Sequence, residues 1–293
     1  MDEHDWLAER FEDDRSHLRA VAYRMLGSLS DADDAVQDAW LRLSRSDVSE
    51  VENLTGWLTT VVARVCLNVL RSRETRREDS FGVHMPDPII SRDNGDDPEH
   101  EALLADSVGL ALLVVLDMLA PAERLAFVLH DMFALPFDEI APIVRRSPEA
   151  ARQLASRARR RVQGAATPDV DLARQRQVVD AFIAAGRDGD FDALVAVLDP
   201  DVVLRADGGV GAPGRSMEVH GAHAVARQAQ AFTRFARFGR RALVNGAIGI
   251  VTVRERQPVA VLGFTIAHGK IVEIDVLADP DRLGQLDLGD LDG

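Results

Sequence analysis

The stretch FDEIAPIVRRSPEAARQLASRARRRV, residues 137–162, decides how the first half of the chain is read. Phe137 to Val144 predicts a short helix, and Arg145-Arg146-Ser147 predicts a turn. Ser147 then offers an N-cap oxygen. Pro148 takes the first helical position, where its missing N–H costs nothing. The second helix runs to about Val162, with Ala151, Leu154, Ala155 and Ala158 as an apolar stripe. Arg152, Gln153, Ser156, Arg157 and Arg160 lie off that stripe. Helix, tight turn and basic helix make the layout of a helix-turn-helix, whose second helix enters a DNA major groove. The competing reading is an exposed basic helix that contacts nothing. The short helix and turn before it favour DNA. Pro142 is discordant, because it removes a hydrogen-bond donor inside the first helix.

The total charge points the other way. The chain has 293 residues and a formal net charge of −14, and phosphate contacts need Lys and Arg. The charge is segregated, however. Residues 57–78 carry five Arg against two Glu, and residues 145–161 carry seven Arg against one Glu. All basic residues except Lys270 are Arg, whose fork suits phosphate and guanine edges. A local patch, not the net charge, marks nucleic-acid binding. The one cysteine, Cys66, excludes an internal disulfide and a Cys-based zinc site. No metal or other cofactor is expected. No apolar run approaches the roughly 20 residues that span a bilayer, and the acidic N-terminus lacks a signal-peptide core. The expectation is a cytoplasmic protein with no membrane partner.

Upstream, Leu18 to Leu26 and Ala35 to Leu43 show helical spacing on either side of Gly27, with Ser30 as the expected N-cap of the second helix. A third helix is predicted from Leu54 to Arg77. Trp57 at its start is expected in the core, although stacking on a base is the alternative. Residues 79–100 are rich in Pro, Gly and acids and predict a flexible linker. Helices return from Glu101, with Pro121 opening one that runs to Met132. A short linker at 165–171 precedes two helices, Leu172 to Gly186 and Phe191 to Leu198. Beyond them the chain is β-rich, at Val202–Leu204, Ala242–Asn245, Ile248–Val253, Val259–Ile266 and Ile271–Leu277. A helix from Ala222 to Phe238 interrupts these strands. Asn245-Gly246 and His268-Gly269 predict hairpin turns. This is helices first, then an α+β part.

The order of segments resembles an extracytoplasmic-function (ECF) sigma factor over residues 1–164. Three stretches carry the resemblance: Tyr23–Gly27 with Asp31–Leu43, Gly56–Arg64 through Asn68 to Arg73, and the helix-turn-helix. The resemblance implies three roles. The acidic face Asp33, Asp34, Gln37, Asp38 and Leu41 would bind the β′ clamp of core RNA polymerase. Arg64, Asn68, Arg71 and Arg73 would bind the −10 element of promoter DNA. Arg152, Gln153, Ser156, Arg157 and Arg160 would read the −35 element. The implied domains are sigma domain 2 at 1–78, a linker at 79–100 and sigma domain 4 at 101–164.

Residues 172–293 resemble a SnoaL-like domain of the NTF2-like fold, a cone with a curved antiparallel sheet. The pieces are Val179–Phe182, Asp188–Phe191 and Leu198–Leu204. A sigma factor carrying this domain resembles the SigJ type. His84–Pro88 replaces that type's Trp-Leu-Pro linker signature without the tryptophan. Asp207–Gly211 matches its Asp-Gly-Gly-Gly-Lys motif without the lysine, and Asp279–Leu283 matches Asn-Pro-Asp-Lys-Leu.

Enzymes share this fold, so Asp207, His220, Glu273 and Asp275 are acid–base candidates. They show no convergent pair at a readable spacing, Asp207 reads as a turn residue, and no catalytic residue is assigned. Regulation in cis is the stronger expectation. The C-terminal domain would dock on the promoter-reading domain or on the 79–100 linker, through Asp207, Gly208 and Gly209 and through Asp279, Pro280, Asp281, Arg282 and Leu283. No separate anti-sigma factor would then be required, and a small ligand in the C-terminal pocket stays open. The alternatives are a helix-turn-helix repressor with a ligand-sensing domain and an isomerase- or cyclase-like enzyme with a DNA-binding appendage. The acidic helix and the Arg-bearing third helix favour the sigma factor, since a repressor has no need of them.

Overall fold

A computed structural model describes residues 3–46, 51, 53–77, 84–91, 109–164, 168–209, 216–231, 238–255 and 257–286. They form two compact units. One holds the described residues up to 77 together with 113–164, and the other holds 84–91, 109–112 and those from 168 onward.

The first unit is helical. It begins with α1 (Glu3–Leu26), α2 (Leu29–Leu43) and α3 (Leu54–Arg77). Gly27 ends α1 in a left-handed conformation, φ 70°, which a side-chain-bearing residue adopts at a cost. Ser28 is therefore the first extended residue, and its hydroxyl accepts from the Asp31 N–H at 3.3 Å. The cap is Ser28, not the expected Ser30, because the position of the glycine sets where the new helix starts. Leu18, Val21 and Met25 of α1, Ala35, Val36 and Ala39 of α2, and Leu58, Val62 and Cys66 of α3 are buried where these three helices pack.

Next come the residues of α4 (Leu110–Asp117) from Leu113 on, α5 (Pro121–Phe127) running into a π-helical turn (Val128–Met132), α6 (Phe137–Val144) and α7 (Pro148–Gln163). Pro142 does not break α6. It is exposed, so the carbonyl it leaves unpaired lies near water, while Ile140, Ala141, Ile143 and Val144 are buried. The helices of the two predicted sigma domains pack on one another within this unit. Arg124, almost fully buried, donates to the Arg24 carbonyl at 3.3 Å and pairs with Asp117 at 3.0 Å. Phe133 makes a T-shaped contact with His17 and carries the guanidinium of Arg24 over its ring.

The second unit holds α8 (Leu172–Asp188), α9 (Phe191–Val197), β2 (Leu198–Asp207), β3 (Met217–His220), α10 (Ala222–Ala231), β4 (Gly239–Val244), β5 (Ala247–Arg254), β6 (Gln257–Ala267), β7 (Lys270–Leu277) and α11 (Pro280–Leu283). The seven-stranded sheet runs β1-β4-β5-β6-β7-β2-β3, where β1 is Ile90–Ser91. Every neighbouring pair is antiparallel except β2 with β7. Asn245-Gly246 and His268-Gly269 have positive φ at both residues, as two-residue hairpins with the native strand twist require. The core on the helix-bearing face is apolar: Val179, Phe182, Leu194 and Val225 pack with Leu204, Ile250, Phe264 and Ile274. The opposite face carries Ala242, Val244, Val251, Val261 and Leu277 in a second cluster with Met85, Ile90, Leu110 and Leu283.

Residues 84–91 correct the expectation of a flexible linker. Met85, Ile89 and Ile90 are buried, and Ile90 pairs with Val244 at the sheet edge. Composition misled here because the segment's few apolar residues are used at high density. The edge strand β4 also offers unpaired backbone groups that the segment satisfies. β3 is a strand the alternation pattern did not reveal, since its four residues alternate only between half-buried and exposed.

Candidate nucleic-acid interface and linker clamp

One side of α2 presents Asp33, Asp34, Gln37 and Leu41 to solvent, with Asp38 half-buried. Leu41 is one of few large apolar side chains exposed among the described residues, at 42%. Asp33 pairs with Arg19 at 2.7 Å and Asp38 with Arg42 at 2.9 Å, so the face combines an exposed Leu with partly neutralised acids.

On α3, Arg64, Asn68 and Arg71 are exposed at spacings of four and three residues and form one row. Arg73 stands apart from them. Its guanidinium donates to the Leu26 carbonyl at 3.0 Å and pairs with Asp31, so it ties α3 to the α1–α2 junction. The row continues toward the N-terminus of α3 through Trp57 and Thr60, which line a groove of about 450 Å³ with Asn53, Arg64 and Glu139. Trp57 is half-buried at the wall of this groove, not in the core as expected. Sequence reasoning passed over Asn53 and Thr60, which share helical spacing with Trp57 and Arg64.

In the helix-turn-helix, Arg145 makes the turn with φ 58°, closing α6 with its N–H on the Ala141 carbonyl. Ser147 caps α7 by accepting from the Ala150 N–H at 3.3 Å, with Pro148 beside it. Ala151, Ala155 and Ala158 are fully buried, and Leu154 only half so. The small alanines let α7 approach α5 and α6 closely. Arg152, Gln153, Ser156, Arg157 and Arg160 lie on the other side, and all five are exposed. Arg157 and Arg161 also flank Glu123, at 3.7 and 3.3 Å.

In the second unit, the two predicted contact elements meet at segment 84–91. Asp207 is not a turn residue; it ends β2 and is 4% exposed. One of its carboxylate oxygens accepts from the Met85 N–H at 2.9 Å and from Arg282 at 2.8 Å. Arg282 also donates to Asp87 at 2.8 Å and to the Met85 carbonyl. Asp279 caps α11 by accepting from the Asp281 and Arg282 N–H groups, which aims Arg282, and Pro280 takes the first position. Leu283 is buried against Met85 and Ile90. Gly208 donates to Ser216 at 3.1 Å. Gly209 (φ 85°) leaves room for Asp279, because a Cβ there would lie 2.5 Å from its carboxylate. Farther along, the Asn245 side chain accepts from the Ile89 N–H at 3.1 Å, and the Asn245 N–H donates to the Ile89 carbonyl at 2.8 Å. Val210 and Gly211 lie outside the described residues.

The remaining acid–base candidates do not face the helices. Strand alternation places Glu273 and Asp275 on the opposite face from Ile274 and Val276. Asp275 is 2% exposed, and burial pushes its carboxyl up to about 7, against the pull of Arg205 at 3.5 Å. Glu273 and Glu218 share the same guanidinium at 3.6 and 3.9 Å. His220 is exposed and pairs with Glu218 at 2.8 Å.

Residues 11–76 match the family model of Sigma-70 region 2, and residues 109–162 match that of Sigma-70 region 4. The ECF RNA polymerase sigma factor SigJ of Mycobacterium tuberculosis is 38% identical over 290 residues, 93% of this chain and 91% of that one. This chain belongs to the ECF sigma factors. The probable ECF sigma factor SigI of the same species is 35% identical over 301 residues, 98% of each chain. The crystal structure of M. tuberculosis SigJ superposes with a TM-score of 0.77 at 35% identity, covering 96% of this chain and all of that one.

An ECF sigma factor directs RNA polymerase to promoters and is not an enzyme, so the repressor and enzyme alternatives fall away. In this sigma factor the helix-turn-helix lies within region 4 and α3 within region 2. The sheet and helices from 168 onward form an NTF2-like domain. None of the described helices is long and apolar enough to cross a membrane.

Proposed function

We propose that the C-terminal domain controls promoter use in cis by holding the segment that joins region 2 to region 4. The observation that carries this is the clamp of Arg282 and Asp207 on Met85 and Asp87, in a segment whose β1 strand completes the sheet. Backbone and side-chain bonds, the buried Met85, Ile89 and Ile90, and an ion-pair network hold eight residues. A covalently tethered domain reaches millimolar effective concentration for such a contact, so no separate anti-sigma factor is needed. In this reading the α2 face from Asp33 to Leu41 binds the β′ clamp of the core enzyme. The row Arg64, Asn68 and Arg71 meets the −10 strand, and the exposed side of α7 reads the −35 element. Exposed Asn and Arg suit an unpaired strand, as Asn can pair with a base while Arg holds phosphate. The protein acts in the cytoplasm with the polymerase.

The test is run-off transcription with purified core enzyme, using the full chain, a chain ending at Gly164, and the full chain with Arg282→Ala. The expected result is altered promoter output in both variants with core affinity retained. Output and core affinity matching the full chain in both would refute regulation in cis.

A further inference from the structure

Arg152 opens the exposed face of α7, one turn after the Ser147 cap, and a built feature lies beneath it. α5 does not end as an ordinary helix. It widens into the π-helical turn Val128–Met132, a rare conformation that concentrates at functional positions. The turn is closed by Ala134 at φ 55° and by the Leu135 N–H donating to the Leu129 carbonyl at 2.9 Å. This geometry leaves the His130 ring half-buried, with Nδ1 2.9 Å from the Leu135 carbonyl. The chain then doubles back, and Phe137, the first residue of α6, stacks on His130 with ring centres 3.9 Å apart and planes 28° off parallel. The Arg152 guanidinium sits over the Phe137 ring, 5.3 Å from its centre.

We infer that His130 and Phe137 form an aromatic shelf that positions Arg152 for reading the upstream promoter element. The inference rests on the reading of α7 as the DNA-facing helix. An exposed arginine populates many rotamers, and ordering them on binding costs free energy. A ring quadrupole under the guanidinium narrows that set before DNA arrives, while the exposed edge of the cation stays available for a bidentate base contact. The π-helical turn matters because it places His130 under Phe137, which fixes the ring's height and tilt. Phe137 is thus a positioning residue, acting through Arg152. Arg157, by contrast, is biased by Glu123 from the opposite flank of α7.

The test uses the full chain assembled with core enzyme on a DNA pool whose upstream element is randomised, with retained DNA sequenced. Arg152→Ala should flatten base preference at one upstream position. Phe137→Leu, which keeps the apolar contact, should weaken preference at that same position about three- to fivefold, the range a surface cation–π contact supports. Phe137→Tyr should preserve it, and Phe137→Leu should add nothing in the Arg152→Ala background. Preference at the downstream element should be unchanged throughout. A Phe137→Leu effect of equal size with and without Arg152, or tighter DNA retention by Phe137→Leu, would overturn the shelf as a positioning device. An unaltered profile for Arg152→Ala would overturn the DNA-facing assignment itself, and the shelf with it.

Discussion

Replacing Arg282 by Ala should release segment 84–91 from the C-terminal domain. Its side chain is 19% exposed, and the carboxylates it bridges, Asp207 and Asp87, are 6% and 15% exposed. Without the guanidinium, two largely dehydrated carboxylates lose their shared cation, and Asp207 keeps the backbone donors of Met85 and Gly209 and the His84 imidazole at 3.6 Å. Removing one partner of a buried pair costs roughly 3–5 kcal/mol; the partial exposure here argues for the lower end. About 3 kcal/mol corresponds to about a hundredfold shift in the docking equilibrium, at 1.4 kcal/mol per factor of ten. Hydrogen exchange reads this directly. The amides of Met85 and Ile89 donate to Asp207 and Asn245, so they report the docked state residue by residue. Their exchange should accelerate by up to about a hundredfold, while the central amides of β6 and β7 stay protected. Unchanged protection at Met85 and Ile89 in the variant would show that the apolar anchors alone hold the segment. The Arg282 clamp would then contribute nothing to docking.

Asp275 holds its proton to about pH 7 in the folded chain, against 3.8 ordinarily, so it destabilises the fold increasingly as pH rises between those values. Thermal melts of Asp275→Asn and the parent chain should therefore diverge in favour of the variant from about pH 4 to pH 7 and run parallel above; a pH-independent difference would contradict this. Arg64→Ala or Arg71→Ala should weaken binding of a −10 single strand by the holoenzyme and lower the salt slope by about 0.7 each, without altering the melting temperature. Arg73→Ala should instead lower the melting temperature by several degrees, because it breaks the tie to Asp31 and the Leu26 carbonyl; equal stability of the Arg64 and Arg73 variants would undo that division. Leu41→Ser should reduce core-polymerase affinity about tenfold, the loss expected when an exposed Leu is no longer buried on binding. Its melting curve should match the parent's, and unchanged affinity in a titration with core enzyme would remove Leu41 from the contact.

The elements that carry the strongest local signals are legible in the residues themselves. Helix α3 has the predicted ends Leu54 and Arg77, and Ser147-Pro148 starts α7 as the capping rules predict. Both two-residue hairpins fall where Asn-Gly and His-Gly stand. The departures share a different cause. Ser28 displaces Ser30 as cap because the left-handed Gly27 sets the phase. Trp57 lines a groove because α6 supplies only part of its far wall, at Glu139. Asp207 reads like a turn residue beside its glycines, yet an arginine 75 positions later takes it out of water.

Local sequence is thus enough to specify the helices and hairpins, the family, and the faces of α2, α3 and α7 that carry exposed charge. Capping, periodicity and turn chemistry act over at most two helical turns, so a linear reading can follow them. Which of the charged groups are already engaged is settled by tertiary contacts. Arg73 and Arg64 look alike in the chain, yet one is held by Asp31 and the other is open. The segment 84–91 reads as linker, but an unfilled sheet edge and the Asp207–Arg282 pair make it part of a domain whose other residues begin well downstream. Burial and ion pairing depend on partners far along the chain, and their strength follows from the water each pair loses on meeting. No reading of neighbours in sequence contains that quantity.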